Sequence, residues 1–298
     1  SILATYSVPS PERLAVRPDG SLAVLSAGKV VCVKKGAVSD LVGTNLDTPA
    51  SITIGKDGTI YVANRGTLQN ISVFDSNGKY LRSLGKTGGR PAIGAYDRNG
   101  LYMPGGIAID TQNRLWAAEE ADSPKRISVW DTASGANVKE FFGASGYFGY
   151  GFIDPARPDV MLAHNTLWKI DWKTYASTPI STIWRKTRPG QMGAPGPDGY
   201  PHVPRVMTAA NGRQYLWGNG DGSIVMRQDG NLFKPFAAFI GLNRDNPYFG
   251  SAPFDAEPKK FTSGSYLWQD ANDDQCVQAT EVERAGSTVW DLSLIHIS

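Results

Sequence analysis

Charge is scarce in this sequence. Asp, Glu, Lys and Arg together make up 19% of the 298 residues, and the net charge is only +2. An average soluble domain carries roughly 25% charged residues. So small an excess gives no electrostatic footprint for a nucleic acid or an anionic membrane surface. Long apolar runs are missing too: no stretch approaches the ~18 consecutive apolar residues of a membrane-spanning helix. There are two cysteines, Cys32 and Cys276, far apart in the chain. Spacing alone establishes no bridge, so buried free thiols are expected unless the fold brings the two ends together.

Catalytic signatures are equally sparse. The three histidines are His164, His202 and His296, and none belongs to an H-x-x-H or H-E-x-x-H pair, so a zinc-hydrolase signature is missing. No G-x-S-x-G elbow occurs. A triad assembled from distant segments stays open, because triads are recognised by geometry rather than order. Gly85-Lys86-Thr87 imitates a phosphate loop, but Tyr80 stands where its earlier glycine belongs. Gly88-Gly89-Arg90-Pro91 then blocks the helix that such a loop requires.

What the chain has in quantity is turn residues, with 33 Gly and 19 Pro. The segment from Pro49 to Gly85 divides into four β-type runs: Ser51–Ile54, Thr59–Ala63, Asn70–Phe74 and Lys79–Leu84. Asp57-Gly58 separates the first two and Asp75-Ser76-Asn77-Gly78 the last two. Such residues tolerate the positive φ of tight turns, while Ile, Val, Thr, Tyr and Phe suit a pleated, partly buried strand.

The unit recurs. Asp19–Val24 repeats its turn and second strand, and Gly106–Asp110, Arg114–Ala117 and Arg126–Asp131 repeat its order. Weaker copies lie at Pro158–Ala163 with Leu167–Trp172, at Asn211–Trp217 with Ser223–Gly230, and from Ser263 to Trp268. Leu22, Ile60, Leu115, Met161, Tyr215 and Tyr266 are then equivalent, roughly 40–55 residues apart. Four strands per repeat of this length mark a β-propeller blade. The chain reads as all-β, a single β-propeller domain of four-stranded antiparallel blades, about six in number. They fall near 11–45, 49–85, 103–143, 150–184, 203–239 and 256–291. A β-sandwich is the alternative, since short strands with regular turns build that fold too.

The connectors carry less information. Residues 86–102 lack periodicity and read as a loop between blades. Gly143–Phe152 is aromatic, which suits either inter-blade packing or a stacked sugar. Residues 185–204 and 240–260 read as exposed excursions. At the ends, Ile2–Tyr6 reads as the last strand of a missing blade, and Leu292–Ser298 resembles a translated sequencing adapter, a non-native tail. On that reading the chain is a fragment truncated at both ends.

The patterns P-x-x-I-x-I-x-x-D-G-T-I-Y-V-A-N with I-S-V-F-D-S-N-G-K, and M-P-G-G-I-A-I-D-T-Q-N-R-L-W-A-A-E with R-I-S-V-W-D, resemble the NHL repeat. The resemblance is good over 49–143, fair at 11–34 and weak from 150 onward. It implies a propeller of the bacterial, extracytoplasmic type that binds or scaffolds, although propellers host many functions. It also implies that the exit of each second strand lies on one face of the ring near the central channel. Those exits hold Asn64, Arg65, Glu119, Glu120, His164, Asn165 and Asn219. Polar groups converging there would form a pocket for a protein, small-molecule or carbohydrate ligand; equally, they would only cap turns. The alternative activity is a lactone or ester hydrolase, or a lyase, holding an axial metal for which Glu119, Glu120, His164 and the asparagines are available.

One local motif stands apart. Asp270-Ala271-Asn272-Asp273-Asp274-Gln275-Cys276-Val277-Gln278-Ala279-Thr280-Glu281 follows the calcium-loop order D-x-[DN]-x-[DN] with Glu at position twelve. Asp270, Asn272, Asp274 and Glu281 would supply side-chain oxygens, Cys276 its carbonyl, and Gln278 a ligand directly or through water. Gln275 stands where a glycine normally makes the sharp turn. A glutamine there needs an unfavourable backbone, at a cost on the order of 1–2 kcal/mol. A solvated acidic turn is the alternative.

Overall fold

The structure, a computed structural model, describes residues 5–121, 124–143, 151–163, 165–185, 187, 190–192, 202–219, 222–242 and 261–285. Among these residues there is no α-helix. The fold is all-β, and its sheets have the antiparallel, sequential strand order of β-propeller blades. In chain order the first sheet holds β1 (Pro11–Val16), β2 (Leu22–Ser26), β3 (Lys29–Lys34) and β4 (Ala37–Val42). The second holds β5 (Pro49–Ile54), β6 (Ile60–Asn64), β7 (Ile71–Phe74) and β8 (Tyr80–Leu84). After the short β9 (Gly94–Ala95), the third holds β10 (Pro104–Ile109), β11 (Arg114–Glu119), β12 (Lys125–Asp131) and β13 (Asn137–Gly143).

These three sheets build one compact unit. The period of two along β6 explains its continuous apolar sequence. Ile60 and Val62 point into a cluster with Ala23, Leu25, Ile52 and Phe74. Tyr61 and Ala63 point the other way, into a cluster with Ile71, Leu84, Leu115 and Trp130. A strand buried on both faces needs apolar residues at every position, and each such side chain contributes about 1.5–3 kcal/mol. Turn chemistry fixes the strand order. Gly58 and Gly78 have φ of +87 and +84, and a Cβ on Gly78 would fall onto the Leu41 carbonyl. Of the two turn pairs, only the glycines take the left-handed conformation. Asp57 and Asp75 keep negative φ and bind turn N–H groups instead, Asp57 that of Thr59 at 3.0 Å and Asp75 that of Asn77 at 2.9 Å.

The second unit begins with β9 and holds the last two sheets. One is built from β14 (Gly151–Ile153), β15 (Val160–Ala163), β16 (Thr166–Asp171) and β17 (Ala176–Thr182). β9 closes its edge, Ser181 facing Ala95 and Thr182 facing Gly94. The stretch 86–102, read from sequence as a bare loop, thus donates a strand. The other sheet holds β18 (His202–Thr208), β19 (Gln214–Asn219), β20 (Gly222–Asp229), β21 (Leu232–Leu242), β22 (Gly264–Gln269) and β23 (Val282–Arg284). Leu162, Leu216, Met226, Phe233, Tyr266 and Trp268 belong to the core of this unit.

The segment expected as a sixth blade, 256–291, does not make a separate sheet among the described residues. β21 is 11 residues long, and its second half, Ala237–Leu242, would leave a bare edge. β22 takes that edge, from Ala237 opposite Gln269 to Leu242 opposite Gly264, and β23 follows on β22. The expected strand over 263–268 is there, but it extends the fifth sheet. Of the excursion expected over 240–260, residues 240–242 belong to β21; residues 243–260, the aromatic residues of 144–150, residues 2–4 and the tail 292–298 lie outside the described residues.

Aspartates at the turns are held below the usual carboxylate range. The chief cause is the Ser21 hydroxyl at Asp19, the Thr59 N–H at Asp57 and the Trp116 indole at Asp110. At Asp131 and Asp171 it is the hydroxyls of Ser134 and Thr174. Because the folded state holds these acids lower than the unfolded chain, their contribution is present above about pH 4 and lost on acidification. The melting temperature is therefore expected to be flat from about pH 7 to pH 5 and to fall below about pH 4. A melting temperature that held steady down to about pH 2 would remove these turns from the account of stability.

Candidate functional site

In the first unit the strand exits turn inward. Asn64 ends β6 and is fully buried. Its side-chain oxygen accepts the Asp47 N–H at 3.0 Å, and its amide donates to Asn70 Oδ1 at 3.2 Å and to Ser72 Oγ at 2.9 Å. Glu119 ends β11 with its carboxylate 0% exposed. It meets the Arg90 guanidinium at 2.5 Å and Arg126 Nε at 3.1 Å. Arg126 reaches Glu140 at 3.3 Å and donates to the carbonyls of Gly100 and Arg98, each at 3.1 Å. Arg90 lies over the Tyr102 ring, 5.5 Å from its centroid. Burial pushes the Glu119 carboxyl up, while the charges of Arg90 and Arg126 pull it down.

Asn64 and Glu119 were expected to aim at a ligand. Instead each is committed to a buried network, because a polar side chain that ends a strand buried on both faces must find internal partners. Arg65 and Glu120 are brought together as an ion pair, half-exposed on the Glu120 side, and Arg65 Nε donates to the Pro104 carbonyl at 3.2 Å. The sequence reading missed Arg90, Arg126 and Glu140. The available signal was the basic residue opening R-I-S-V-W-D: Arg126, Ser128 and Trp130 share the buried face of β12, while Ile127 is exposed.

In the second unit Asn165 is fully buried and donates to the Trp184 carbonyl at 3.1 Å, so it too is structural. His164 lies outside the described residues. Asn219 is the last residue of β19, paired with His202 and Ser223; its side chain is outside the described set. Cys32 and Cys276 are free thiols, the first buried and the second half-buried.

The loop after β22 gathers a polar cluster among the described residues of this unit. One carboxylate oxygen each from Asp270, Asp274 and Glu281 lie within 4.8 Å of one another. Asn272 Oδ1 accepts the Asp274 N–H at 3.0 Å, and its amide donates to Gln278 Oε1 at 3.2 Å. Gln278 donates to Asp274 Oδ2 at 2.6 Å, and the Cys276 N–H to Asp274 Oδ1 at 2.7 Å. Glu281 is fixed at the far side by the Ala271 N–H at 3.0 Å and the Trp268 indole at 3.3 Å. Gln275 adopts φ of +60, the left-handed backbone expected where glycine is missing. Its N–H donates to Asp270 Oδ2 at 3.0 Å. Asp273 pairs with Arg227 at 2.6 Å, which ties the loop to β20. Burial pushes the Asp270 carboxyl up, and the nearby Glu281 charge adds to this against the Gln275 N–H. Close carboxylates held by short bonds form a donor set of hard oxygens, suited to a hard cation rather than to a soft metal.

No family model matches the sequence, and no curated protein matches it. Similar solved structures include hydrazine synthase from Kuenenia stuttgartiensis, at 15% identity over 79% of this chain and 68% of that one, with a TM-score of 0.38. A nidogen/laminin complex is similar at 16% identity over 75% of this chain and 78% of that one, with a TM-score of 0.36. An auxiliary nutrient binding protein from Bacteroides thetaiotaomicron is similar at 13% identity over 80% and 59%, with a TM-score of 0.36. Likeness at this level carries no functional inference. No helix among the described residues is long and apolar enough to cross a membrane.

Proposed function

We propose that this chain is an extracytoplasmic, NHL-like β-propeller module that binds or scaffolds a protein, small-molecule or carbohydrate ligand and carries a structural calcium loop at residues 270–281. The observation behind the calcium reading is the convergence of Asp270, Asp274 and Glu281 within 4.8 Å, with Gln275 left-handed at position six. Asp270, Asn272, Asp274 and Glu281 would hold the ion through side chains, Cys276 through its carbonyl, and Gln278 directly or through water. Bound there, the ion would offset the burial and the nearby Glu281 charge that push the Asp270 carboxyl up. Binding rather than hydrolysis is favoured because Asn64, Glu119 and Asn165, needed as axial ligands by an enzyme, are committed to internal hydrogen bonds.

Melting curves in calcium and in chelator test the loop. At roughly 100 times the dissociation constant, calcium should stabilise the protein by about 2.7 kcal/mol. Glu281→Ala should abolish the difference, and Gln275→Gly should tighten binding by about tenfold or more, since each ~1.4 kcal/mol of relieved backbone strain is one decade. Superimposable wild-type curves in millimolar calcium and in chelator would end the calcium reading.

A further inference from the structure

The turn between β16 and β17 carries two aromatic rings that its own closure does not use. Asp171 accepts the N–H groups of Lys173 at 2.8 Å and Thr174 at 3.4 Å and the Thr174 hydroxyl at 2.8 Å. The Tyr175 N–H returns to the Asp171 carbonyl at 2.7 Å. Those bonds complete the turn. Yet Trp172 is 49% exposed and Tyr175 80% exposed, and Tyr175 sits at φ of +57, where Asn or Gly costs less. The exposed ring faces and the strained Tyr175 backbone are not needed to close this four-residue turn, and strain of this kind points to function.

The surroundings specify what would bind. Trp172 donates its indole N–H to the Pro158 carbonyl at 3.0 Å, which pins the ring and leaves a fixed apolar face. It borders an open cavity of about 680 Å³ lined also by Lys169, Ile170, Asp171, Lys173 and Thr178. That volume is within the 300–1,000 Å³ common for small-ligand sites. Lys169 is paired with Asp159, and Lys173 and Asp171 carry opposite charges on the same turn, so the rim offers donors and acceptors without a dominant net charge. A flat apolar face edged by neutralised donors and acceptors matches a pyranose ring, apolar on its C–H face and both donor and acceptor at its hydroxyls.

We infer that the β16–β17 turn is a subsite for a neutral oligosaccharide, one sugar ring stacking on Trp172 with its hydroxyls reaching Lys173 and Thr178. The inference rests on the binding-module reading and is independent of the calcium loop. Titration calorimetry of the full chain with cellohexaose, laminarihexaose, xylohexaose and mannohexaose tests it, with an alginate hexamer as the acidic comparison. At least one neutral hexaose should bind with a dissociation constant of roughly 1 mM or tighter. Trp172→Ala should weaken it about tenfold or more, while Trp172→Phe, which keeps a ring, should stay within about threefold. Lys173→Ala, whose side chain takes no part in the turn, should weaken it a few-fold with an unchanged melting temperature. Failure of all four neutral hexaoses to bind, binding of the acidic hexamer alone, or equal affinity for wild type and Trp172→Ala would each overturn the inference. Loss of the calcium-dependent melting shift without loss of saccharide binding would sink the calcium loop alone.

Discussion

Replacing Glu119 with alanine is expected to destabilise the protein by about 3–5 kcal/mol, because it leaves two buried guanidiniums without their shared counter-charge. Arg90 and Arg126 are both buried, and without Glu119 the carboxylate of Glu140, 3.3 Å from Arg126, would remain beside two backbone carbonyls. With roughly 2–4 °C lost per kcal/mol for chains of this size, the melting temperature should fall by on the order of 10 °C. Glu120, one residue on, offers the contrast: its ion pair with Arg65 is partly exposed, and Glu120→Ala should cost less than about 1 kcal/mol. Had Glu119 lined a ligand channel, its removal would be nearly neutral for stability and harmful to binding. Equal, small losses from Glu119→Ala and Glu120→Ala in thermal melts would refute the buried-network assignment.

Trp268→Ala should cost a comparable ~3–5 kcal/mol, for a different reason. The ring is 0% exposed at the centre of the second unit's core, so truncation opens a cavity that its neighbours in β21 and β23 cannot collapse into. Trp268 also carries the indole N–H that holds Glu281 at 3.3 Å. Trp268→Phe keeps most of the apolar contact and removes that bond, a change worth about 1 kcal/mol on its own. Urea unfolding separates the two: the alanine variant should lose several times more stability than the phenylalanine variant. If Trp268→Phe were as damaging as Trp268→Ala, the indole bond rather than packing would dominate at this position.

The second sheet was legible because three signals coincide there. β6 is apolar from Ile60 to Ala63, the turns before it and after β7 carry Asp57-Gly58 and Asn77-Gly78, and the pattern recurs. Each constrains the same strands, so the reading reproduces β5 to β8 within one or two residues. Of the polar exits, Asn64, Glu119 and Asn165 follow the capping alternative rather than the ligand-facing one. Asn64 and Glu119 are polar, yet whether a polar strand end faces solvent or partners depends on Ser72, Arg90 and Arg126, which lie on other strands and loops. No local pattern encodes that. The acidic loop was legible in position because its twelve residues are contiguous, and the left-handed Gln275 follows from the spacing alone. The aromatic turn at Trp172 passed unnoticed because the repeat pattern reads Leu167–Trp172 simply as strand, whereas Trp172 lies one residue past its end.

The strand β9 sets an order of events for the growing chain. Gly94 and Ala95 face Thr182 and Ser181, and the Tyr96 N–H reaches the Ile180 carbonyl at 2.9 Å. Their partners are made more than eighty residues later, several seconds at ordinary ribosomal speeds of about 5–20 residues per second. The third sheet gains its last strand at Gly143, before those partners are made, so β9 waits for β17 after the first three sheets have all their strands. The second unit is thus discontinuous in sequence. No single cut separates the two: a protein ended after β13 would keep β9 but lack the edge that receives it, and a protein begun at β14 would expose the outer edge of β17.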